Sequence, residues 1–445
     1  MDSALEIEGL CVRFRLYDRT LTAVDNVSLR VERGETMALV GESGSGKTVT
    51  SLAVIGLLGS KALVASGSIG VGGRDVLALD AEGLRRLRGA EVGTIFQDPM
   101  SSLNPMLTIG EQITETLASH RSDSASEHRA KALSLLAQVR IPQPEATLNF
   151  YPHQLSGGMR QRVMIAIAIA LDPALIIADE PTTALDVTVQ AQVLGLIRDL
   201  ITAKNAACLF ISHDMGVVAQ VSDKVSIMYA GSIVEKGPTS SVLAQPWHPY
   251  TRGLIDCAPA HDTTARRELL PIPGSMPALG DLPSGCPFAP RCFRAEADCR
   301  EIKPGLLTLP GASDRAVACH HPLIDSVERP ELAPTQARSY SITTAAPALD
   351  VRHLSQALGQ RGIFGARRTR LIVDDVTLQV PAGSTLGVVG ESGSGKSTLV
   401  RSIMGLYAGT LGEIRVAGAQ VPGGTWPRSL RARMQMVFQD SYSSL

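Results

Sequence analysis

Two octapeptides, Gly41–Thr48 (GESGSGKT) and Gly390–Ser397 (GESGSGKS), fit the pattern G-x-x-x-x-G-K-[ST] and differ at one position. In that pattern backbone N–H groups cradle phosphates, the lysine reaches the terminal phosphates and the last hydroxyl binds Mg²⁺. The pattern works where a buried strand runs into it and a helix leaves it, so it restricts the chain to α/β folds with a parallel sheet. Met37–Gly41 (MALVG) reads as that strand, and a helix is predicted from near Lys47. One Gly/Ser-rich match is moderate support, because such turns are common. Here the context repeats as well. The segment from Ala23 into the first loop returns from Ile372 into the second, and TIFQD at Thr94 is echoed by MVFQD at Met436. The sequence therefore predicts a nucleotide-driven machine built on a duplicated unit.

The second unit carries its loop but no counterpart of what the first places after Leu103. A parallel sheet cannot be buried without its later strands, so the expectation is either a fragment or a second unit that is incomplete and poorly folded. Elsewhere the first unit reads as strands over LEIEGLCVRF and VSLRVERG, and as short apolar strands at Ala174–Glu180 and Cys208–Asp214. Helical spacing marks Val187–Lys204, Ile109–Leu117 and Ala130–Val139, the last two on either side of a polar stretch from His120 to His128. These two suggest an inserted helical subdomain. After about residue 240 nine prolines from Pro246 to Pro290 break the pattern. The resulting division is 1–240, 241–321, a Pro/Ala/Ser-rich linker at 322–347, and 348–445.

A net charge of −1 excludes a global field that would recruit nucleic acid or an anionic membrane. Apolar residues make up 44%, enough for globular cores. The most apolar stretch, Val163–Glu180, is broken by Asp172 and Pro173 and falls short of the roughly 20 apolar residues a spanning helix needs. It is expected to be a buried helix followed by a buried strand. The opening MDSALEIEGL lacks a basic region and a long apolar run. A soluble, cytosolic chain is the default, with any membrane role supplied by a partner. Of seven cysteines, Cys11 and Cys208 sit in strand-like surroundings and read as packing residues, whereas Cys286, Cys292, Cys299 and Cys319 crowd one segment.

Between the loop and the acidic strand end lies YPHQLSGGMRQR (Tyr151–Arg162), followed by LIIADEPTTALD and ISHD. With these residues the chain resembles the nucleotide-binding subunit of an ABC transporter. That implies a P-loop NTPase fold with a helical subdomain, a Pro/Cys-rich extension and a partial second ABC domain. It implies the Q-loop glutamine at Gln97, the signature at Leu155–Met159, the acidic pair Asp179 and Glu180, a D-loop ending at Asp186, and the switch histidine at His213. The resemblance assigns ATP to Gly41, Glu42, Ser43, Gly44, Ser45, Gly46, Lys47 and Thr48. It does the same for Gly390, Glu391, Ser392, Gly393, Ser394, Gly395, Lys396 and Ser397 in the second copy. Ser156, Gly157 and Gly158 would cover the nucleotide of a partner domain, and Met159 stands where glutamine is commoner. Mg²⁺ would be held by Thr48, Asp179 and Gln97; Glu180 would polarise the attacking water, and His213 and Gln97 would position the γ-phosphate and that water. Tyr17 or Phe14 could stack on adenine.

A narrower likeness, in FQDPMSSLNPMLTIGEQI, HPYTRGL and LLPIPGSMP followed by GCPFAPRC, is to the peptide/nickel importer subfamily. It implies an ATPase driving uptake of peptides or related solutes. The implied partners are two integral-membrane permease subunits, an extracytoplasmic solute-binding protein and another ABC domain. Its place would be peripheral, on the cytoplasmic face of the plasma membrane. Some members are thought to hold a 4Fe–4S cluster at four cysteines, here Cys286, Cys292, Cys299 and Cys319; reduced surface thiols are the other reading. The rival from another class is a soluble tandem ABC ATPase acting on ribosomes or DNA, against which the near-zero net charge and the Pro/Ala/Ser-rich linker count. Within the chain the second loop could meet the first unit's signature, whereas the first loop has no signature opposite it, so hydrolysis is expected to need another ABC subunit or a second copy.

Overall fold

The computed structural model describes residues 3–183, 185–258, 270–324, 347–361, 367–391, 393–421 and 426–438. They form two compact units, the larger within residues 1–332 apart from Asp186–Thr188 and the smaller taking in the described residues from 347 on. At the centre of the larger unit five parallel strands lie in the order Lys224–Tyr229, Thr36–Val40, Ala207–Ser212, Leu175–Asp179 and Val92–Ile95. Every residue of the three middle strands is buried. Successive side chains enter different cores: Met37, Leu39, Leu209 and Ile211 one, Ala38 and Val40 a second, Cys208 and Phe210 a third. A strand buried on both faces must be apolar throughout, which explains the unbroken runs in the sequence.

The antiparallel sheet Thr20–Glu32, Ser3–Arg15, Ala62–Val71 and Arg74–Asp75 closes the first core together with the helix Lys47–Val54. The third core belongs to the helices Ile109–Ala118, Ala125–Gln138, Gly157–Ala168 and Val187–Lys204. The helix expected from Ala130 begins five residues earlier, inside the polar stretch. Ser124 and Glu127 form a reciprocal capping box there, and Thr108 and Glu111 form another at the preceding helix. Each box is worth about 1 kcal/mol, so residues that look like a loop initiate a helix.

Past residue 230 the sheet continues antiparallel through Ser232–Pro238, Ala316–Val317 and Leu307–Thr308 to eight strands. The proline-rich extension is thus sewn to the sheet. Arg315 and Glu235, almost fully buried, pair at 2.9 Å, and the guanidinium lies 3.7 Å from the Trp247 ring centre. Pro249 opens the helix Pro249–Cys257, where a missing N–H costs nothing. Most of the linker at 322–347 lies outside the described residues.

In the smaller unit Arg367–Val380, Leu349–Arg361, Leu411–Val416 and Ala419–Gln420 repeat the strand order of the first antiparallel sheet. Val351, Leu354, Val373, Leu399 and Trp426 give it a core of its own. Residues 384–390, the counterpart of the strand before the first loop, carry no strand pairing and are exposed. Among the described residues this unit has no parallel sheet.

Candidate functional site

Parallel strands bring their carboxyl ends to one edge, and ligands bind outside that edge. Val40, Ile95, Asp179 and Ser212 all end there, which delivers the first phosphate loop, Gln97, Glu180 and His213 to one place. The loop turns into the helix Lys47–Val54 through Gly46, whose φ of 104° a side chain would resist. That helix has no acidic residue in its first turn, leaving its N–H groups and positive dipole end for an anion. Lys47 is buried, and its Nζ donates to Gly41 O at 2.7 Å and Glu42 O at 2.9 Å. Burial lowers the ammonium's pKa, while Glu180, Asp179 and Glu42 pull it back. Ser43, Gly44 and Thr48 are exposed, whereas Ser45 is fully buried and its Oγ has no hydrogen-bond partner.

Asp179 is also buried, with one carboxylate oxygen unpartnered, and the Thr48 hydroxyl acts on its carboxyl group. Burial raises its pKa, against the pull of Thr48 and with some help from the Glu180 charge. A cavity of about 320 Å³ opens beside these two residues and is also lined by Gln97, Phe96 and Ser101. Glu180 has φ 46°, a left-handed conformation that is uncommon for a residue with a side chain and often marks a functional position. Its carboxylate is the hub of the site. Oε1 lies 3.2 Å from His213 Nδ1, while Oε2 accepts from Gln97 Nε2 at 3.0 Å and from the Thr183 hydroxyl at 3.1 Å. Gln97 and His213, expected to face a phosphate, are thus joined through the carboxylate. Thr183 was not anticipated; its only sequence signal is a hydroxyl three residues after the acidic pair.

The hydrogen bond to His213 lowers the Glu180 pKa, and the same bond raises that of His213. The pair is complete between those two values. Its contribution to stability is lost as pH rises through the His213 value and as pH falls through the Glu180 value. Replacing Glu180 by Gln should therefore lower the His213 pKa, read by NMR titration of the imidazole protons; an unmoved titration would show that the two groups are not coupled.

The signature residues sit apart from this edge. Ser156 caps the helix Gly157–Ala168 by accepting from Met159 N–H at 3.3 Å, and it is exposed. A Cβ at Gly157 would meet nothing within 4 Å, while one at Gly158 would lie 2.7 Å from Val189 Cγ1. Gly157 is open to a partner, and Gly158 is small because a helix packs on it. Met159 is partly buried against the helical core, where an apolar side chain belongs.

The second loop has the same local form. Gly393 and Gly395 have φ 84° and 96°, against 82° and 104° at Gly44 and Gly46. Lys396 Nζ donates to Gly390 O and to Glu391 O at 2.6 Å each, with Ser394 Oγ at 3.4 Å, and Ser397 is exposed at the start of the helix. Ser392 lies outside the described residues. Among the described residues of this smaller unit none corresponds to Asp179, Glu180 or His213.

Cys286, Cys292, Cys299 and Cys319 line one tight pocket with a free volume of only about 10 Å³. Cys299 is buried and the others are half-buried. Burial pushes the Cys286 thiol up, Cys292 to about 11 and Cys319 to about 12, with the neighbouring sulfurs adding to each. Among the described residues the donor atoms that lie within 4.8 Å of one another are those of Asp298, Cys299 and His321, not the four sulfurs.

No helix among the described residues is long and apolar enough to cross a membrane. The ABC transporter family matches residues 24–183 and 373–445, and the family described as oligopeptide/dipeptide transporter, C-terminal region, matches 234–299. The oligopeptide transport ATP-binding protein OppD of Mycobacterium tuberculosis is 43% identical over 100% of this chain and 74% of its own length. The probable D,D-dipeptide transport ATP-binding protein DdpD of Escherichia coli is 48% identical over 72% of this chain and 96% of its own. The oligopeptide transport ATP-binding protein AppD of Bacillus subtilis is 47% identical over 72% and 97%. With the phosphate loop, the acidic strand end and the capped signature helix in place, this chain belongs to the ABC transporter family, as an ATP-binding, ATP-hydrolysing member of its oligopeptide/dipeptide branch.

Proposed function

We propose that the chain is the ATPase subunit of a peptide importer, working at the cytoplasmic face of the membrane on two separate permease subunits that a solute-binding protein supplies with cargo. The observation that carries the nucleotide site is the pair of buried, unpartnered oxygens, Ser45 Oγ in the loop and Asp179 Oδ1 beside it. Burying such atoms without partners costs about 1–3 kcal/mol each, a penalty that phosphate and Mg²⁺ would relieve. Thr48 and Asp179 would hold the ion, with Gln97 on the adjoining cavity wall, and the ion would offset phosphate charge there. Lys47 neutralises the terminal phosphates. Glu180 accepts a proton from the attacking water; Gln97, His213 and Thr183 orient its carboxylate and so the water. Tyr17 is fully exposed and free to stack on adenine, whereas Phe14 packs against the first core. Ser156 and Gly157 face outward and would close over the nucleotide of a second ABC domain, so turnover should rise with protein concentration or with an added ABC subunit.

Peptide is the cargo class supported by the match at 234–299; none of the three relatives above is named for nickel. The test is reconstitution of the chain with candidate permeases in vesicles and measurement of ATP-dependent uptake of labelled peptides. Peptide accumulation that stops without ATP supports the reading. Copurification with ribosomes and no association with a permease would replace it by the tandem ATPase alternative.

For the four thiols the reading is a 4Fe–4S cluster, which four thiolates can ligate; it rests on their lining one small pocket, which must open to admit it. A cluster would staple the extension and needs no redox role. Its thiols must lose protons to bind, so raised thiol pKa values make loading weaker in acid. Protein purified without oxygen should be brown, and Cys292→Ser should bleach it and reduce bound iron; colourless, iron-free wild-type protein would remove the cluster.

A further inference from the structure

The extension that carries the cysteines also grips the phosphate loop. Arg291 ends the short helical turn Ala289–Arg291, between Cys286 and Cys292, and its side chain is 5% exposed. Its guanidinium meets Glu42, the second residue of the loop, with two prongs: Nη1 to Oε2 at 2.6 Å and Nη2 to Oε1 at 2.9 Å. Its remaining donors go to Pro273 O at 2.8 Å, and to Tyr229 Oη and Gly274 O at 3.4 Å each. A planar fork held at every donor has one orientation, which a lysine cannot copy. The backbone N–H of Glu42 donates to the buried Tyr250 Oη at 2.9 Å. Thus both the main chain and the side chain of Glu42 are anchored by residues beyond the first 240.

This contact answers an electrostatic difficulty. A carboxylate inside a loop that receives a polyanion repels its own ligand, unless a fixed cation compensates it. Arg291 is that cation. The turn that presents it is hung on the cysteine pocket: Cys286 N–H donates to Cys299 O, Ala289 N–H to Cys286 O and Arg291 N–H to Phe288 O. Phe288 lines the pocket and packs edge-on against Tyr229, 5.2 Å between ring centres, with Tyr250 at 5.3 Å.

We propose that Arg291 is a positioning residue for the first phosphate loop, and that the cysteine pocket, by holding the turn from Cys286 to Cys292, sets how tightly that loop binds ATP. The inference rests on the loop being the nucleotide cradle, which the wild-type arm of the experiment checks by itself. The measurement is equilibrium binding of Mg–ATP to the whole chain, with melting curves for each variant and kcat at saturating ATP. Arg291→Met should weaken binding about tenfold, with kcat within about twofold of wild type, because a charge-assisted two-pronged contact to the loop is lost. Arg291→Lys should recover little. Glu42→Gln combined with Arg291→Met should recover most of the loss, because the uncompensated carboxylate is gone. Cys292→Ser should weaken binding about threefold alone and add nothing to Arg291→Met. Binding within twofold of wild type for Arg291→Met would overturn the positioning role. Should that variant fail to fold, wild-type affinity in Arg291→Lys would do the same. A Cys292→Ser effect of equal size with and without Arg291 would overturn the link to the pocket.

Discussion

Replacing Glu180 by Gln lowers ATP turnover by about 10³-fold and leaves Mg–ATP binding within about threefold of wild type, as expected for a base that acts only once charge develops on the attacking water. The separation of the two effects follows from geometry. Glutamine keeps the shape, and its carbonyl can still accept from Gln97 Nε2 and from the Thr183 hydroxyl. The left-handed backbone at this position is held by Glu180 N–H donating to Ile211 O at 3.0 Å, a contact the substitution does not touch. What disappears is the negative charge that accepts a proton. Steady-state phosphate release together with equilibrium binding decides the matter, and more than about a tenth of wild-type turnover in the variant would remove Glu180 from the role.

Gly41→Ala is the second large effect, and it acts two strands along the same edge. A Cβ there would lie 2.2 Å from Met228 O and 2.7 Å from Ser45 Oγ. Met228 is part of the strand Lys224–Tyr229 within the parallel sheet, so its carbonyl cannot retreat and the loop must. Overpacking of this kind costs about 1–3 kcal/mol. A displacement near 1 Å in a loop that aims backbone N–H groups costs about 10²-fold in what the loop supports. The expected outcome is a melting temperature several degrees lower and Mg–ATP binding weaker by about that factor. Gly195→Ala, on the helix Val187–Lys204, is the control, since nothing lies within 4 Å of its Cβ, and it should fold and bind ATP as the wild type does. Wild-type affinity in Gly41→Ala would mean that the loop adapts and that the close approach to the sheet does not set its shape.

Much of this site could be read from the chain alone because its parts are local. A strand, a glycine-rich turn and a helix N-terminus are contiguous, and Val187–Lys204 was bounded correctly by periodicity, without its neighbours. The helix start at Ala125 was missed because Ser124 and Glu127 act by capping, which polarity disguises as loop. The exposed strand segment at 384–390 shows the other limit: its sequence is as strand-like as Thr36–Val40, and pairing partners decide the difference. Contacts between distant polar residues leave no periodic trace at all. Gln97 and Glu180 are 83 residues apart and Arg291 and Glu42 are 249 apart, so only the fold reveals that one carboxylate gathers the catalytic set and another is clamped from outside.

Thr36–Val40 takes its two neighbours in the sheet from Ala207–Ser212 and Lys224–Tyr229. On a ribosome adding about 5–20 residues per second, the strand that feeds the phosphate loop leaves the exit tunnel roughly 10–30 s before either neighbour is made. For that interval five residues destined for complete burial have no mate. The antiparallel sheet made from the first 75 residues can form meanwhile and offer them one apolar face. The birth order of the chain therefore makes the N-terminal sheet a shelter for the nascent nucleotide site, and slowing translation after Val40 lengthens the period in which that shelter is the strand's only cover.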